Sequence, residues 1–123
     1  MHALEVSDYT ALLNSALGLH LTEEELMNIA RRSRNLEKAF NTLHTSMGRH
    51  DDLPPKRYMD EPVKSGPYRG YRADREEWEK MLDEFYDLQG WDKATGLQTR
   101  KTLVDLEMGN IAERLDNAGK LIQ

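Results

Sequence analysis

All four prolines of this chain, Pro54, Pro55, Pro62 and Pro67, fall within fourteen residues near its middle. Proline fixes its own φ, has no N–H for a helix or a sheet, and pushes the residue before it towards extended geometry. The chain must change character there. Residues on either side read as helix, whereas Gly48–Ala73 has no convincing period and predicts a long ordered crossover rather than a helix. Connections of this length in compact domains usually carry a function or pack along another surface. Three of the five tyrosines, Tyr58, Tyr68 and Tyr71, lie in it. Aromatics spaced along an irregular segment read as anchors that dock it on something.

The flanking patterns predict about four helices. The first runs from about Ser7 to Leu17, with Ser7 and Asp8 as N-terminal acceptors, an apolar face of Tyr9, Leu12, Leu13, Ala16 and Leu17, and Gly18 as its stop. The second begins at Thr22, which has capping-box spacing to Glu25. Leu26, Ile29, Ser33, Leu36, Phe40, Leu43 and Met47 recur behind it at alternating spacings of three and four, a stripe that carries the helix to Gly48. Its last turn is weakened by Asn41, Thr42, Thr45 and Ser46, all poor helix formers. A third helix starts at the Asp74 and Glu77 pair, turns Trp78, Met81, Leu82, Phe85 and Leu88 inward, and ends at Gly90. Thr99 caps a fourth, with Val104, Met108, Ile111, Leu115, Ala118 and Ile122 on one face and Gly109 as a point where it can break. No segment sustains a two-residue alternation, so the fold class is all-α, one helical domain over residues 1–123 with a proline-rich loop at 48–73.

Composition narrows the function. At 123 residues the chain suits one domain, and 38% hydrophobic against 32% charged residues, with a mean hydropathy of −0.78, means a modest core. No apolar run reaches membrane-spanning length. The absence of cysteine excludes a disulfide framework, a thiolate zinc site and a cysteine-ligated iron–sulfur cluster within this chain, and it fits a cytoplasmic location. A net charge of −5 argues against nucleic-acid binding.

Few constellations carry chemistry. Arg49-His50-Asp51-Asp52, with Lys56 and Arg57 beyond, combines oxygen ligands for a divalent cation with guanidinium groups for a phosphate or carboxylate. The spacing is not that of an EF-hand, and alternating charges after a helix end commonly pair with each other. Arg49, Asp51, Asp52 and Arg57 are therefore the candidates for orienting pairs, and His44 stands outside them. His44, His50 and Asp51 could converge on a metal, although such sites usually show tighter spacing. Arg31, Arg32, Arg34 and Lys38 form a basic strip without stacking aromatics, which reads as a solvated or interdomain face. Phe40, Met47, Trp78, Met81, Phe85 and Met108 read as core. There is no phosphate-cradling glycine loop and no nucleophile elbow. No catalytic, cofactor-binding or metal residue is assigned.

Several ordered blocks do resemble a known family. They are Asn35-Leu36-Glu37-Lys38-Ala39-Phe40-Asn41, then Arg49-His50-Asp51-Asp52-Leu53-Pro54-Pro55-Lys56-Arg57-Tyr58, Glu61-Pro62, Ser65-Gly66-Pro67, and Met81 to Asp92. Together they look like the C-terminal helical domain of the tungsten-containing aldehyde:ferredoxin oxidoreductase family, from about the first helix to Leu106. The resemblance implies a piece of a larger enzyme that oxidises aldehydes, or does related low-potential chemistry, at a tungsten or molybdenum bis-pterin beside a [4Fe–4S] cluster. In that family two helical domains cover an N-terminal cofactor domain, and the last cluster cysteine lies upstream of the region matched here. No family catalytic residue maps onto this chain. The implied partners are the remaining domains or subunit and, for the whole enzyme, ferredoxin, with self-association possible for the isolated piece. A free-standing helical interaction module is the alternative.

Overall fold

The computed structural model describes residues 4–123, and among these the fold is all-α with no strand. The first helix, α1 (Val6–Leu17), opens where the Asp8 carboxylate accepts the Glu5 N–H at 2.9 Å, and closes at Gly18 with φ +65°. Asn14 then clamps the turn: its amide donates to the Leu21 carbonyl and accepts the Leu21 N–H, both at 2.9 Å. That clamp returns the chain as α2 (Glu23–His44), which packs on α1. Thr22 and Glu25 form the expected reciprocal cap, with the Glu25 N–H donating to the threonine hydroxyl at 3.2 Å and the Thr22 N–H to the carboxylate at 2.7 Å.

α2 stops one turn short of Gly48. The Thr45 hydroxyl bonds the Asn41 carbonyl at 2.6 Å, offering the backbone a local alternative to another helical turn. The Lys120 ammonium, far along the chain, donates to the carbonyls of Thr42 at 2.7 Å and Thr45 at 2.8 Å. A cation at this end complements the helix dipole and fills carbonyls that no further turn could satisfy.

The crossover is more structured than expected. It holds a 3₁₀ turn, Arg49–Asp52, and a short helix, α3 (Lys56–Asp60). Pro55 stands directly before α3, where a missing N–H costs nothing and the fixed φ favours helix entry. Beyond α3 the loop is tied to itself, Val63 N–H to Tyr71 O at 2.8 Å and Ala73 N–H to Tyr58 O at 2.9 Å. Every residue from 61 to 72 is exposed, so among the described residues Tyr68 and Tyr71 anchor the loop to nothing.

α4 (Arg75–Gln89) begins at an Asp74 cap and ends at Gly90 with φ +70°. The expected fourth helix is two, α5 (Arg100–Asp105) and α6 (Gly109–Asn117). The break falls just before Gly109: Glu107 takes a left-handed φ of 59°, and the Met108 N–H reaches the Leu103 carbonyl at 2.7 Å. This reversal turns Met108 inward and lets α6 fold back onto α5 and α2.

The core lies in two clusters. Ala39, Leu103, Leu106, Met108, Ala112 and Leu115 join α2, α5 and α6, while Leu82, Tyr86 and Trp91 gather Leu53, Trp78 and Phe85 around α4. Phe40, Met47, Met81, Leu88 and Val104, which the apolar patterns place inside, are exposed. The reason is a rotation. The line that α2 buries is Asn35, Ala39 and Thr42, one residue back from the apolar line Leu36, Phe40 and Leu43, and so about 100° around the helix. Only Leu43 reaches the core's edge. On α1, Thr10 is buried while Tyr9, Leu12, Leu13 and Leu17 are exposed.

Candidate functional site

A polar cluster joins the 3₁₀ turn to α4 and to the Trp91–Gln98 turn. Arg49 is its centre, with a side chain only 19% exposed. Its Nη2 donates to Glu79 Oε2 at 2.5 Å and to the Glu79 carbonyl at 3.2 Å, and its Nε to Glu79 Oε2 at 3.1 Å. Its Nη1 donates to Asp83 Oδ1 and to the Lys93 carbonyl, both at 2.7 Å. Glu79 and Asp83 stand one helical turn apart on α4, so a single planar guanidinium can take both. The hydrogen bond to Glu79, opposed by burial and helped by Asp83, raises the Arg49 pKa still further. The guanidinium also lies over the Tyr86 ring, 5.4 Å from its centre.

Asp52 is the second joint. Its carboxylate accepts the Tyr86 hydroxyl in a short hydrogen bond, and its backbone carbonyl accepts Trp78 Nε1–H at 3.0 Å. Burial first, then the bond to Asp52 and its charge, pushes the Tyr86 pKa well above the ordinary phenol range. Lys38 approaches the same carboxylate at 3.8 Å and lies 4.8 Å from the centre of the Trp91 ring. Between them is a pocket of about 120 Å³ lined by residues including Arg34, Lys38, Asn41, Asp52 and Trp91. Gly96 has φ +72° and packs so closely that a Cβ there would sit 2.9 Å from the Tyr86 hydroxyl and 3.1 Å from the Arg49 backbone nitrogen.

Behind this cluster is a buried polar trio. Trp91 Nε1–H donates to Asn35 Oδ1 at 3.0 Å, and Gln98 Nε2 donates to the same oxygen at 2.7 Å and to the Asn35 carbonyl at 2.9 Å. Asn35 and Gln98 are fully buried. The trio sets the rotation of α2, because Asn35 must point inward to meet it.

The five candidate residues separate. Arg49 and Asp52 meet at Tyr86. Asp51 turns back to accept the Gly48 N–H at 2.9 Å and lies 3.0 Å from His50 Nε2. Arg57 is exposed on α3 and pairs with Glu61 at 3.2 Å. His44 lies at the exposed end of α2 against Phe40, ring centres 4.5 Å apart. Among the described residues no group of three His, Asp or Glu side chains is placed to hold a metal, so His44, His50 and Asp51 do not converge. Sequence reasoning missed Glu79, Asp83, Tyr86, Asn35 and Gln98. The i,i+4 carboxylates of α4 were the one available signal.

Chemically, the cluster fastens. Its central cation is satisfied on every side, and its phenol is held protonated as a donor. A [4Fe–4S] cluster does not fit this donor set, since the chain has no cysteine to supply thiolates.

The family model described as aldehyde ferredoxin oxidoreductase, domains 2 and 3, matches residues 1–108. The chain is 39% identical over 88 residues to the tungsten-containing aldehyde ferredoxin oxidoreductase of Pyrococcus furiosus, covering 72% of this chain and 14% of that protein. It is 35% identical over 88 residues to the enzyme of the same name from Thermococcus kodakarensis, with the same coverage. A solved structure, the active site complex BamBC of benzoyl coenzyme A reductase in complex with 1,5-dienoyl-CoA, matches with a TM-score of 0.71 and 28% identity, over 94% of this chain and 16% of that one. The chain thus spans about 14% of the length of the curated relatives it matches. With the family model covering 108 of its 123 residues, the chain belongs to the aldehyde ferredoxin oxidoreductase family, in its C-terminal helical region.

Proposed function

We propose that residues 1–123 form one α-helical unit of a larger aldehyde ferredoxin oxidoreductase-like enzyme, packing over its cofactor-bearing part and doing no chemistry of its own. The observation that carries this reading is the state of the polar cluster around Arg49. Arg49 is bound by Glu79, Asp83 and the Lys93 carbonyl, and Tyr86 by Asp52. These groups hold the 3₁₀ turn against α4, with the carboxylates of Glu79, Asp83 and Asp52 each committed to an ion pair or a hydrogen bond. In the whole enzyme a tungsten or molybdenum bis-pterin and a [4Fe–4S] cluster would be held by other domains, which must provide the thiolates that this chain lacks. The contribution of this chain is then shape. A covering layer excludes water from a redox centre and strengthens the electrostatic interactions within it. Aldehydes or related substrates, ferredoxin as electron acceptor and a cytoplasmic location follow from the same reading. Among the described residues no helix is long and apolar enough to cross a membrane.

The test is to purify the 123-residue chain alone and assay it with aldehydes and a viologen dye. The expected protein is colourless and inactive. Visible absorbance from a bound cluster, or reproducible turnover, would overturn the reading. The exposed Tyr58, Tyr68 and Tyr71 favour a second reading, an independent interaction module. A chain that binds partners in its native cells, none of them an oxidoreductase polypeptide, would establish that reading instead.

A further inference from the structure

We infer that the outward apolar residues Leu36 and Phe40 of α2, and Tyr9, Leu12 and Leu13 of α1, are the surfaces on which the remaining oxidoreductase domains sit. The inference rests on the reading above and adds the surface it uses. A helix of a free monomer normally turns its apolar stripe towards its own core. Here α2 does the reverse. α2 buries Asn35, Ala39 and Thr42 and leaves Leu36 53% and Phe40 63% exposed. α1 buries Thr10 and leaves Tyr9, Leu12 and Leu13 outside.

The rotation is fixed rather than incidental. Asn35 is locked inward by Trp91 and Gln98, and Asn14 locks the α1–α2 turn through Leu21. The chain therefore holds its apolar residues outward at the expense of a polar interior line. Leu36 and Phe40 border one open depression with Glu37 and Asn41, a shape suited to a side chain from a facing surface.

The occupant is indicated by length. The chain spans 14% of its curated relatives and 16% of the matched benzoyl coenzyme A reductase chain, so most of any such enzyme lies outside it. A second copy of this chain would need only this face. An oxidoreductase of the relatives' size has a far larger surface to cover it, and aromatic and aliphatic anchors at the centre of an interface carry most of its energy.

The test places a photo-crosslinking amino acid at Leu12, Leu36 or Phe40, and separately at the exposed controls Glu113 and Tyr68, in the organism that encodes the chain. Crosslinked peptides are then identified by mass spectrometry. The expected result is crosslinks from positions 12, 36 and 40 to a cysteine-bearing polypeptide of this family, whether on the same chain or another, and few from position 113. Family crosslinks only from positions 68 or 113 would overturn the inference and leave the proposed function standing. Crosslinks from positions 12, 36 and 40 to a second copy or to an unrelated protein would also overturn it. No family crosslink from any position would overturn both. As a second readout, Leu36→Asp with Phe40→Asp should weaken association with the family portion, read as the crosslink yield from position 12, at least about tenfold. Its circular dichroism should stay unchanged, because both side chains already face solvent. Unaltered association would refute the assignment.

Discussion

Replacing Arg49 by methionine tests whether the polar cluster fastens the fold. Methionine keeps the aliphatic stem but ends where the guanidinium begins, and so deletes all five hydrogen bonds, three to carboxylate oxygens and two to backbone carbonyls. A sheltered hydrogen bond to a charged group contributes about 1.5–3 kcal/mol net. The sum is much less than five such terms, because the side chains of Glu79 and Asp83 remain 36% and 47% exposed and water takes over part of their solvation. A loss of about 2–4 kcal/mol follows. For a chain of this length each kcal/mol moves the melting temperature by about 3–5 °C, so the shift is about 10 °C. Thermal and urea unfolding followed by circular dichroism measure it. Arg49→Lys should recover little, since an ammonium cannot reach Glu79, Asp83 and the Lys93 carbonyl in one plane. A loss under about 0.5 kcal/mol, the level of an ordinary surface substitution, would refute the reasoning.

Four further outcomes follow. Tyr86 has a folded-state pKa raised above its unfolded value, so its contribution is intact below about pH 10 and is lost as the pH rises through the folded value. Urea titrations at increasing alkaline pH should show stability falling there, with a smaller fall in Tyr86→Phe; the same alkaline slope in both proteins would contradict this. Gly96→Ala combines a left-handed φ with contacts against Tyr86 and Arg49, and should cost more than about 2 kcal/mol by chemical denaturation. Lys120→Met removes the cation at the end of α2 and should cost about 1–2 kcal/mol, with faster hydrogen exchange beginning at Leu43 to Ser46. Asn35→Leu would free α2 from the Trp91–Gln98 trio, and a change in Trp91 fluorescence together with a lower melting temperature would record the loss of register.

The helices were legible because their ends are written in local chemistry. Thr22 with Glu25, Asp74 before α4, Thr99 before α5, and Gly18 and Gly90 after their helices all act within four residues of themselves. Pro55 could have announced α3 in the same way, but the surrounding prolines masked a helix of only five residues. Periodicity located the apolar stripes but not which of their residues the chain buries. A stripe says which face avoids water, not whether the cover belongs to the same chain, so Leu36 and Phe40 read as core although they face outward. Arg49 and Asp52 were visible as charged candidates, yet their partners lie 26–34 residues away on α4, beyond any spacing argument. Asn35 and Gln98 look like surface residues by type, and only the tertiary placement of Trp91 draws them inside. The ordered blocks that resemble the oxidoreductase family carried further than any of these, because several motifs in sequence are more specific than one.

The central claim is that this chain supplies shape to a redox enzyme whose reactive groups lie elsewhere. The most direct test is to isolate the native particle that contains the chain, by an affinity tag in its own cells, and to measure its mass, its polypeptides and its metals together. The account predicts a particle far larger than 14.3 kDa that contains a cysteine-bearing oxidoreductase portion, with tungsten or molybdenum and iron in fixed ratio to it. A metal-free particle holding this chain and no oxidoreductase portion would contradict it.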